Sequence, residues 1–130
     1  MGEKSIRLIS NIEWDGDVNW DKNQILQALM NIVQNAYDSI NYKGEIKISA
    51  KAINGNVQIS LKDNGPGIPQ HIQKKIFNLY FTTKAKGTGI GLSIVQRIVF
   101  EHGGSLEFES MENSGTLFTL IIPINPKLSS

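Results

Sequence analysis

The stretch from Asp63 to Gly91 constrains this chain more than any other. It opens with Asp63-Asn64-Gly65-Pro66-Gly67 and closes with Gly87-Thr88-Gly89-Ile90-Gly91, placing seven Gly or Pro residues within 29 positions. Glycine loses more conformational freedom on ordering than any other residue, so such density marks backbone that turns tightly or approaches something closely. Between the clusters runs Phe77-Asn78-Leu79-Tyr80-Phe81-Thr82-Thr83-Lys84, which is aromatic, then hydroxyl-bearing, then cationic.

The elements around this stretch follow from periodicity. Ser5–Ser10 alternates as a short strand, and a second short strand is expected through Val18. A long helix is predicted from about Asp21 to Asn41, with Asn19 or Asp21 as N-cap. At roughly 100° per residue, Ile25, Leu29, Ile32, Val33, Ala36 and Ile40 share one broad face. Asn31, Asn35 and Asp38 fall together within about 60° of arc, read as the opposite face. They are either a solvated stripe or a functional one. Asn suits a helix interior poorly, because its side chain competes for backbone hydrogen bonds, whereas a solvated face favours Glu, Lys or Gln.

Tyr42-Lys43-Gly44 is expected to end this helix, with Gly44 suited to a left-handed cap or a turn. Glu45–Ala50 and Val57–Lys62 alternate around Asn54-Gly55, the strongest two-residue hairpin signal, so they should pair antiparallel. Pro69 opens a short helix over Gln70–Asn78. Another helix starts at Gly89–Gly91, buries Leu92, Ile94, Val95, Ile98 and Val99, and stops at His102-Gly103-Gly104 with Gly103 at C′. Ser105–Ser110 and Thr116–Ile122 form a final hairpin. The sum is an α/β two-layer sandwich: a mixed, mostly antiparallel sheet covered on one face by three helices. One domain over residues 1–130 is expected, with its ordered core at about 5–123.

Balance of charge narrows the partners. Thirteen basic and twelve acidic side chains give a formal net charge of +1, which offers no electrostatic case for nucleic acid or a membrane surface. The absence of cysteine fits a reducing, cytoplasmic setting. No apolar run reaches membrane-spanning length, so any anchor of a parent protein would lie outside this sequence. The order and spacing of Ser, His and Asp support neither a hydrolase triad nor a zinc site. His71 and His102 both read as structural, the second at a helix end where a cation suits the dipole.

Asp63 ends a strand and precedes Gly-Pro-Gly, which is equally a plain turn or a carboxylate set to accept a hydrogen bond from an exocyclic amine such as adenine's. In the second case Gly65 and Gly67 would let backbone lie flush against a flat ring. The later cluster reads G-x-G-x-G. It is neither the dinucleotide fingerprint, which would need glycine at Leu92, nor a P-loop, since no Gly-Lys-Ser/Thr occurs. It shares their physics, because glycines opening a helix present free N–H groups and a positive dipole end to an anion. Lys84 and Lys86 flank it as point charges for phosphate, or as solvated surface lysines. The reading that unites these features is a stretch wrapped around a nucleotide.

Asn31-Ile32-Val33-Gln34-Asn35-Ala36, Asp63-Asn64-Gly65-Pro66-Gly67-Ile68, Phe77-x-x-x-Phe81-Thr82-Thr83-Lys84 and Gly87-Thr88-Gly89-Ile90-Gly91-Leu92 resemble, in order, the N box, first glycine box, F box and second glycine box of sensor histidine kinases. His102-Gly103-Gly104 and Gly115-Thr116-Leu117-Phe118 resemble that family's closing elements. The resemblance covers residues 5–123 and implies the ATP-binding catalytic domain, within the wider superfamily of gyrase-like, chaperone-like and mismatch-repair ATPases. It implies that Asn35 holds Mg²⁺ against ATP phosphates, with Asn31 and Asp38 lining the same side. Asp63 would read the adenine amine, with Thr116 a further adenine contact beside Gly65, Gly67 and Ile68. Gly87, Thr88, Gly89, Ile90, Gly91 and Leu92 would border the phosphates, and Lys84 would reach the terminal one. Phe77 to Gly87, including Thr82 and Thr83, would form a short lid, the most mobile part when substrate is absent.

Two departures bear on mechanism. Hydrolysing relatives, like the anti-sigma kinases, carry Glu where this chain has Asn31, and an amide cannot serve as the general base for water. Transfer to another nucleophile is therefore the expected chemistry, with Asn31, Asn35 and Lys84 as the catalytic set. Leu79-Tyr80 stands where many relatives have Pro-Phe, which changes lid packing. The implied partners are a dimerisation domain carrying the phosphoacceptor histidine and a response-regulator receiver. Neither His71 nor His102 has the acceptor's setting, so the chain would bind nucleotide without phosphorylating itself. A serine kinase of the anti-sigma type and a nucleotide-dependent interaction module are the alternatives.

Overall fold

Alternation along the strands decides the architecture, and the computed structural model describes it for residues 4–13, 16–73, 75 and 91–126. The elements in order are β1 (Ser5–Ile12), α1 (Lys22–Ser39), β2 (Lys43–Ile53), β3 (Asn56–Asp63), α2 (Gln70–Gln73), α3 (Gly91–Glu101), β4 (Ser105–Met111) and β5 (Gly115–Pro123). The sheet runs β1-β2-β3-β5-β4. β1 pairs parallel to β2 and the other neighbours pair antiparallel. A mixed, mostly antiparallel sheet is thus observed. The helical layer is built by α1, over β2 and β3, and by α3, over β4 and β5.

Turn chemistry sets the hairpins. Asn54 (φ 52°) and Gly55 (φ 82°) both sit at positive φ between Ile53 and Asn56, the pair of conformations a type I′ turn demands. Every second residue of β3 and β5 then faces the helices. Val57, Ile59 and Leu61 meet Ile122, Leu120 and Phe118 across the ladder, and all six are buried. Phe108 of β4 continues this layer, its ring 5.9 Å from that of Phe118. From above, α1 contributes Ile25, Ala28 and Ile32, and α3 contributes Val95, Ile98 and Val99.

The caps explain where both helices begin and end. Asp21 caps α1, its carboxylate accepting from the Gln24 N–H at 3.2 Å, a contact of the kind that satisfies an orphan donor of the first turn. α3 ends in a Schellman motif. Gly103 has φ 73°, its N–H donates to Phe100 and the Gly104 N–H donates back to Val99, both at 2.9 Å.

Several expectations change. No strand passes through Val18. That segment is held instead by single bonds, such as the Asn19 N–H to the Ile124 carbonyl at 3.0 Å and the Trp20 indole to the Pro123 carbonyl at 2.7 Å. Gly44 is not a left-handed cap, since it lies within β2 at ordinary φ. Its missing side chain answers a different need, because a Cβ there would stand 2.8 Å from Asn64 Oδ1 and 3.0 Å from Ile40. The amide stripe of α1 is not opposite the core. Taking Ile32 as the core-facing line, Asn35, Asn31 and Asp38 fall about 60°, 100° and 120° away, which is a flank, and all three are half-buried. Leu26, Met30 and Tyr37 occupy the outward side and are exposed. His102 is structural, though not as a cation. Its Nε2 accepts the Asp21 N–H at 3.1 Å while Nδ1 lies 2.8 Å from the Ile98 carbonyl. That pairing needs a neutral ring with its proton on Nδ1. The helix expected over Gln70–Asn78 is described only as Gln70–Gln73, with residues 74 and 76–78 outside the described residues.

Candidate functional site

Strand parity carries one polar row out of the apolar interior. Asp63 continues the inward phase of Val57, Ile59 and Leu61, and Thr116 continues that of Leu120 and Phe118. Ser110 continues that of Leu106 and Phe108. The register pairs Asp63 with Thr116 and Thr116 with Ser110. Asp63 and Thr116 are each only 6% exposed, so three polar side chains line up across β3, β5 and β4 where the core gives way.

The carboxylate in that row is held by backbone. Oδ1 accepts the Gly65 N–H at 2.8 Å. Burial pushes the Asp63 carboxyl above its ordinary range, while hydrogen bonds from the backbone of Gly65 and Thr116 pull the other way. Desolvation disfavours the charged form and N–H donors favour it, and here burial prevails. A carboxylate in such a place gains from a further donor.

The loop after β3 is clamped on both sides. Asn64 Oδ1 accepts the Glu45 N–H at 2.7 Å, tying the turn to β2. Opposite, the Asn113 N–H donates to the Pro66 carbonyl at 2.6 Å. Gly67 (φ 75°) comes so near the β4–β5 hairpin that a Cβ would stand 2.2 Å from the Met111 carbonyl oxygen. The expectation that Gly67 admits a flat ring therefore meets a protein neighbour first. Gly65 stands against the end of α1, a Cβ there reaching Ile40 at 3.3 Å and the Ser39 hydroxyl at 3.5 Å.

That contact orients the site along α1. Val33 and Ile6 both pack on the small cluster of Ala36, Ile40 and Ile46 on the β1–β2 side, so the opposite flank, bearing Asn31 and Asn35, turns toward α3. The His102–Asp21 bond joins the end of α3 to the start of α1, so the two helices run antiparallel. Eleven residues of α3 rise about 16 Å at about 1.5 Å each. The same rise along α1 from Asp21 ends near Ile32, between Asn31 and Asn35. The N-terminus of α3 at Gly91 thus lies beside the amide flank. Asp63 and Gly65 mark one end of a line along α1, and the amides with Gly91 mark the other.

The predicted residues divide accordingly. Asp63, Gly65, Thr116, Asn31, Asn35 and Gly91 are brought to this line, with Ile68 and Leu92 beside it, packed against the core. Asp38 shares the flank and accepts from the Gln34 amide at 2.9 Å. Phe77, Thr82, Thr83, Lys84, Gly87, Thr88, Gly89 and Ile90, and with them the lid, lie outside the described residues. Ser110, Asn64 and Gln73 were missed by sequence reasoning. Ser110 had a readable sign, since it falls in the inward phase of Leu106 and Phe108, whereas the other two act through partners remote in the chain. Among the described residues no group of three or more His, Cys, Asp or Glu could hold a metal ion. None of their helices is long and apolar enough to cross a membrane.

Comparison with known proteins shows the family and the fold. Residues 20–126 match the family described as histidine kinase-, DNA gyrase B- and HSP90-like ATPase. The chain is 45% identical over 111 residues to the signal transduction histidine-protein kinase AtoS of Escherichia coli (strain K12), covering 85% of this chain and 18% of that one. It is 40% identical over 109 residues to the sensor histidine kinase ZraS of the same strain, covering 84% and 23%. It therefore spans about a fifth of the length of these curated relatives. Among solved structures, the nucleotide-free catalytic domain of histidine kinase ThkA superposes with a TM-score of 0.83 at 39% identity, over 94% of this chain and 81% of that one. ThkA in complex with the response regulator protein TrrA gives 0.77 at 35% identity, over 94% and 35%. Full-length ShkA in complex with AMPPNP gives 0.79 at 27%, over 91% and 25%. This chain belongs to the histidine kinase-, DNA gyrase B- and HSP90-like ATPase family, and its fold is that of the ATP-binding catalytic domain of sensor histidine kinases.

Proposed function

We propose that the chain is one domain that binds Mg·ATP and donates the γ-phosphoryl group to a histidine on a separate dimerisation domain, for relay to a response regulator. The observation that carries this reading is the line along α1: a buried carboxylate and hydroxyl at one end, two amides and a helix N-terminus at the other. The first end suits the amine and ring nitrogen of adenine. The second suits phosphate, because the free N–H groups and dipole of α3 favour an anion. The ShkA complex with an ATP analogue and the ThkA complex with its response regulator support the same assignment, cytoplasmic ATP being the donor.

Each residue then has a role. Asp63 accepts the adenine amine and Thr116 contacts the ring. Gly65, Gly67 and Ile68 shape that end. Asn31, Asn35, Asp38 and Gly91 with Leu92 border the phosphates. By family resemblance Phe77, Thr82, Thr83, Lys84, Gly87, Thr88, Gly89 and Ile90 enclose them, Lys84 at the terminal one. Magnesium usually takes one or two protein ligands and substrate phosphates rather than a cage of side chains. The Asn35 amide oxygen, half-buried on that flank, fits as such a ligand. The ion would supply charge neutralisation at the phosphates. The residues bind, orient and exclude water, which is most of what phosphoryl transfer asks of a protein. Asn31 provides no base for water, so the phosphoryl group waits for another nucleophile. His102 is no candidate, with both ring nitrogens engaged.

Mixing the chain with a matched dimerisation-and-histidine domain and labelled ATP tests the reading. Acid-labile phosphohistidine on the added domain is expected, and Asn35→Ala should abolish the magnesium dependence of nucleotide binding. Acid-stable phosphoserine, or no transfer, would overturn the assignment.

A further inference from the structure

β2 and β3 pair as far as Ile46 and Asp63, and the next step of the ladder is made by a side chain. The Asn64 N–H donates to the Glu45 carbonyl at 3.2 Å. In return the Glu45 N–H donates to Asn64 Oδ1 at 2.7 Å, where an antiparallel pair would use the main-chain carbonyl of residue 64. Both donors are backbone N–H groups, so the direction of each bond is fixed. The swap releases that carbonyl from the sheet. A trans peptide holds its C=O and N–H in opposite directions, so a carbonyl aimed at β2 would send the Gly65 N–H away toward β5. Released, the same peptide turns, and the Gly65 N–H reaches Asp63 Oδ1 at 2.8 Å.

Gly44 makes room for the swap. A Cβ there would stand 2.8 Å from Asn64 Oδ1 and 3.0 Å from Ile40, so a larger residue would push the amide off Glu45. From the other side Gly115 backs the main chain, since a Cβ on it would stand 3.1 Å from Asn64 Cα. Asn64 is itself exposed, so its side chain fills no part of the core.

We infer that Asn64 is a positioning residue for adenine recognition. Its amide oxygen replaces a main-chain carbonyl in the ladder and frees the peptide whose N–H holds the Asp63 carboxylate for the amine of an adenine nucleotide. The inference rests on the assignment of Asp63 to that amine. Without the amide, the Glu45 N–H recovers the main-chain carbonyl and the Asn64–Gly65 peptide swings back. Asp63 then loses the donor that orients it.

Calorimetric titration of the full chain with a non-hydrolysable ATP analogue, and with its counterpart lacking the 6-amino group, tests this in magnesium. Wild type should prefer the amino form. Asn64→Ala should lower that preference about fivefold, the scale of one hydrogen bond, by weakening the amino form and sparing the other. Exchange of the Gly65 amide proton, followed by NMR, should quicken in the same variant. Asn64→Asp keeps an acceptor oxygen in place and should retain the preference. Should Asn64→Ala fail to fold, Gly44→Ala displaces the same amide from β2 and should show the same loss. If both affinities fall together, if the preference or the Gly65 exchange stays as in wild type, or if Asn64→Asp behaves like Asn64→Ala, the inference is overturned while the site stands. If wild type binds both forms equally, the assignment of Asp63 to the amine falls and the inference with it. If it binds neither, the functional assignment falls as well.

Discussion

Gly115→Ala should cost about 2–5 kcal/mol of stability, whereas Gly55→Ala should cost about 1 kcal/mol. Both glycines hold positive φ, +100° and +82°, and an L side chain there costs about 1–2 kcal/mol, partly offset by a less flexible unfolded chain. At Gly55 that term stands alone, because an added Cβ meets nothing within 4 Å. At Gly115 the Cβ would stand 2.1 Å from the Asp63 carbonyl oxygen, 3.0 Å from its carbon and 3.1 Å from Asn64 Cα. All three are backbone, so no side chain can swing aside and β3 must part from the hairpin. Overpacking of that kind adds about 1–3 kcal/mol, a large share of a typical total of about 5–15 kcal/mol. The displaced segment carries Asp63, so Gly115→Ala should also weaken ATP binding. Gly55→Ala should leave binding unchanged, since it lies at the other end of β3, about 25 Å away at about 3.3 Å per residue. Urea denaturation and calorimetry on both variants decide the matter. Equal losses of stability, or normal nucleotide affinity in Gly115→Ala, would refute the close-approach argument.

Two further outcomes follow from buried polar groups. His102→Phe removes the acceptor for the Asp21 N–H and should destabilise the domain by about 1–2 kcal/mol, and an unchanged denaturation midpoint would contradict the helix-to-helix bond. Asp63 has a raised carboxyl in the fold relative to its ordinary value of 3.8. Its contribution to stability is therefore fully present below that value and is lost as pH rises through the raised one. Unfolding of wild type and Asp63→Asn across that window should show the difference drifting in favour of Asn as pH increases. ATP affinity of wild type should rise over the same window as the carboxylate forms. A pH-independent difference between the two proteins would show that burial does not govern this group.

Much of the fold was legible because it depends on local rules. Asn54-Gly55 announced its hairpin, Gly103 its Schellman stop, and the alternation in Val57–Lys62 and Thr116–Ile122 the two central strands. The inward phase of Asp63 and Thr116 was readable for the same reason, since period two continues through them. What failed depends on neighbours distant in the chain. Gly44 is glycine because Asn64 and Ile40 crowd it, and no local pattern reports that. The position of the Asn31–Asn35 flank was within reach of helical-wheel arithmetic, but calling it opposite the core ignored how far around the core face itself extends. His102 was placed at a helix end correctly. Its neutral role needed the partner at Asp21, 81 positions away.

Titrating the chain with a non-hydrolysable ATP analogue in magnesium, alongside Asp63→Asn, tests the central claim most directly. Wild type should bind, and the variant should bind about 1.5–3 kcal/mol more weakly, the scale of a charged hydrogen bond. Equal affinity in the two proteins, or no binding by wild type, would contradict a nucleotide held between the carboxylate row and the amide flank.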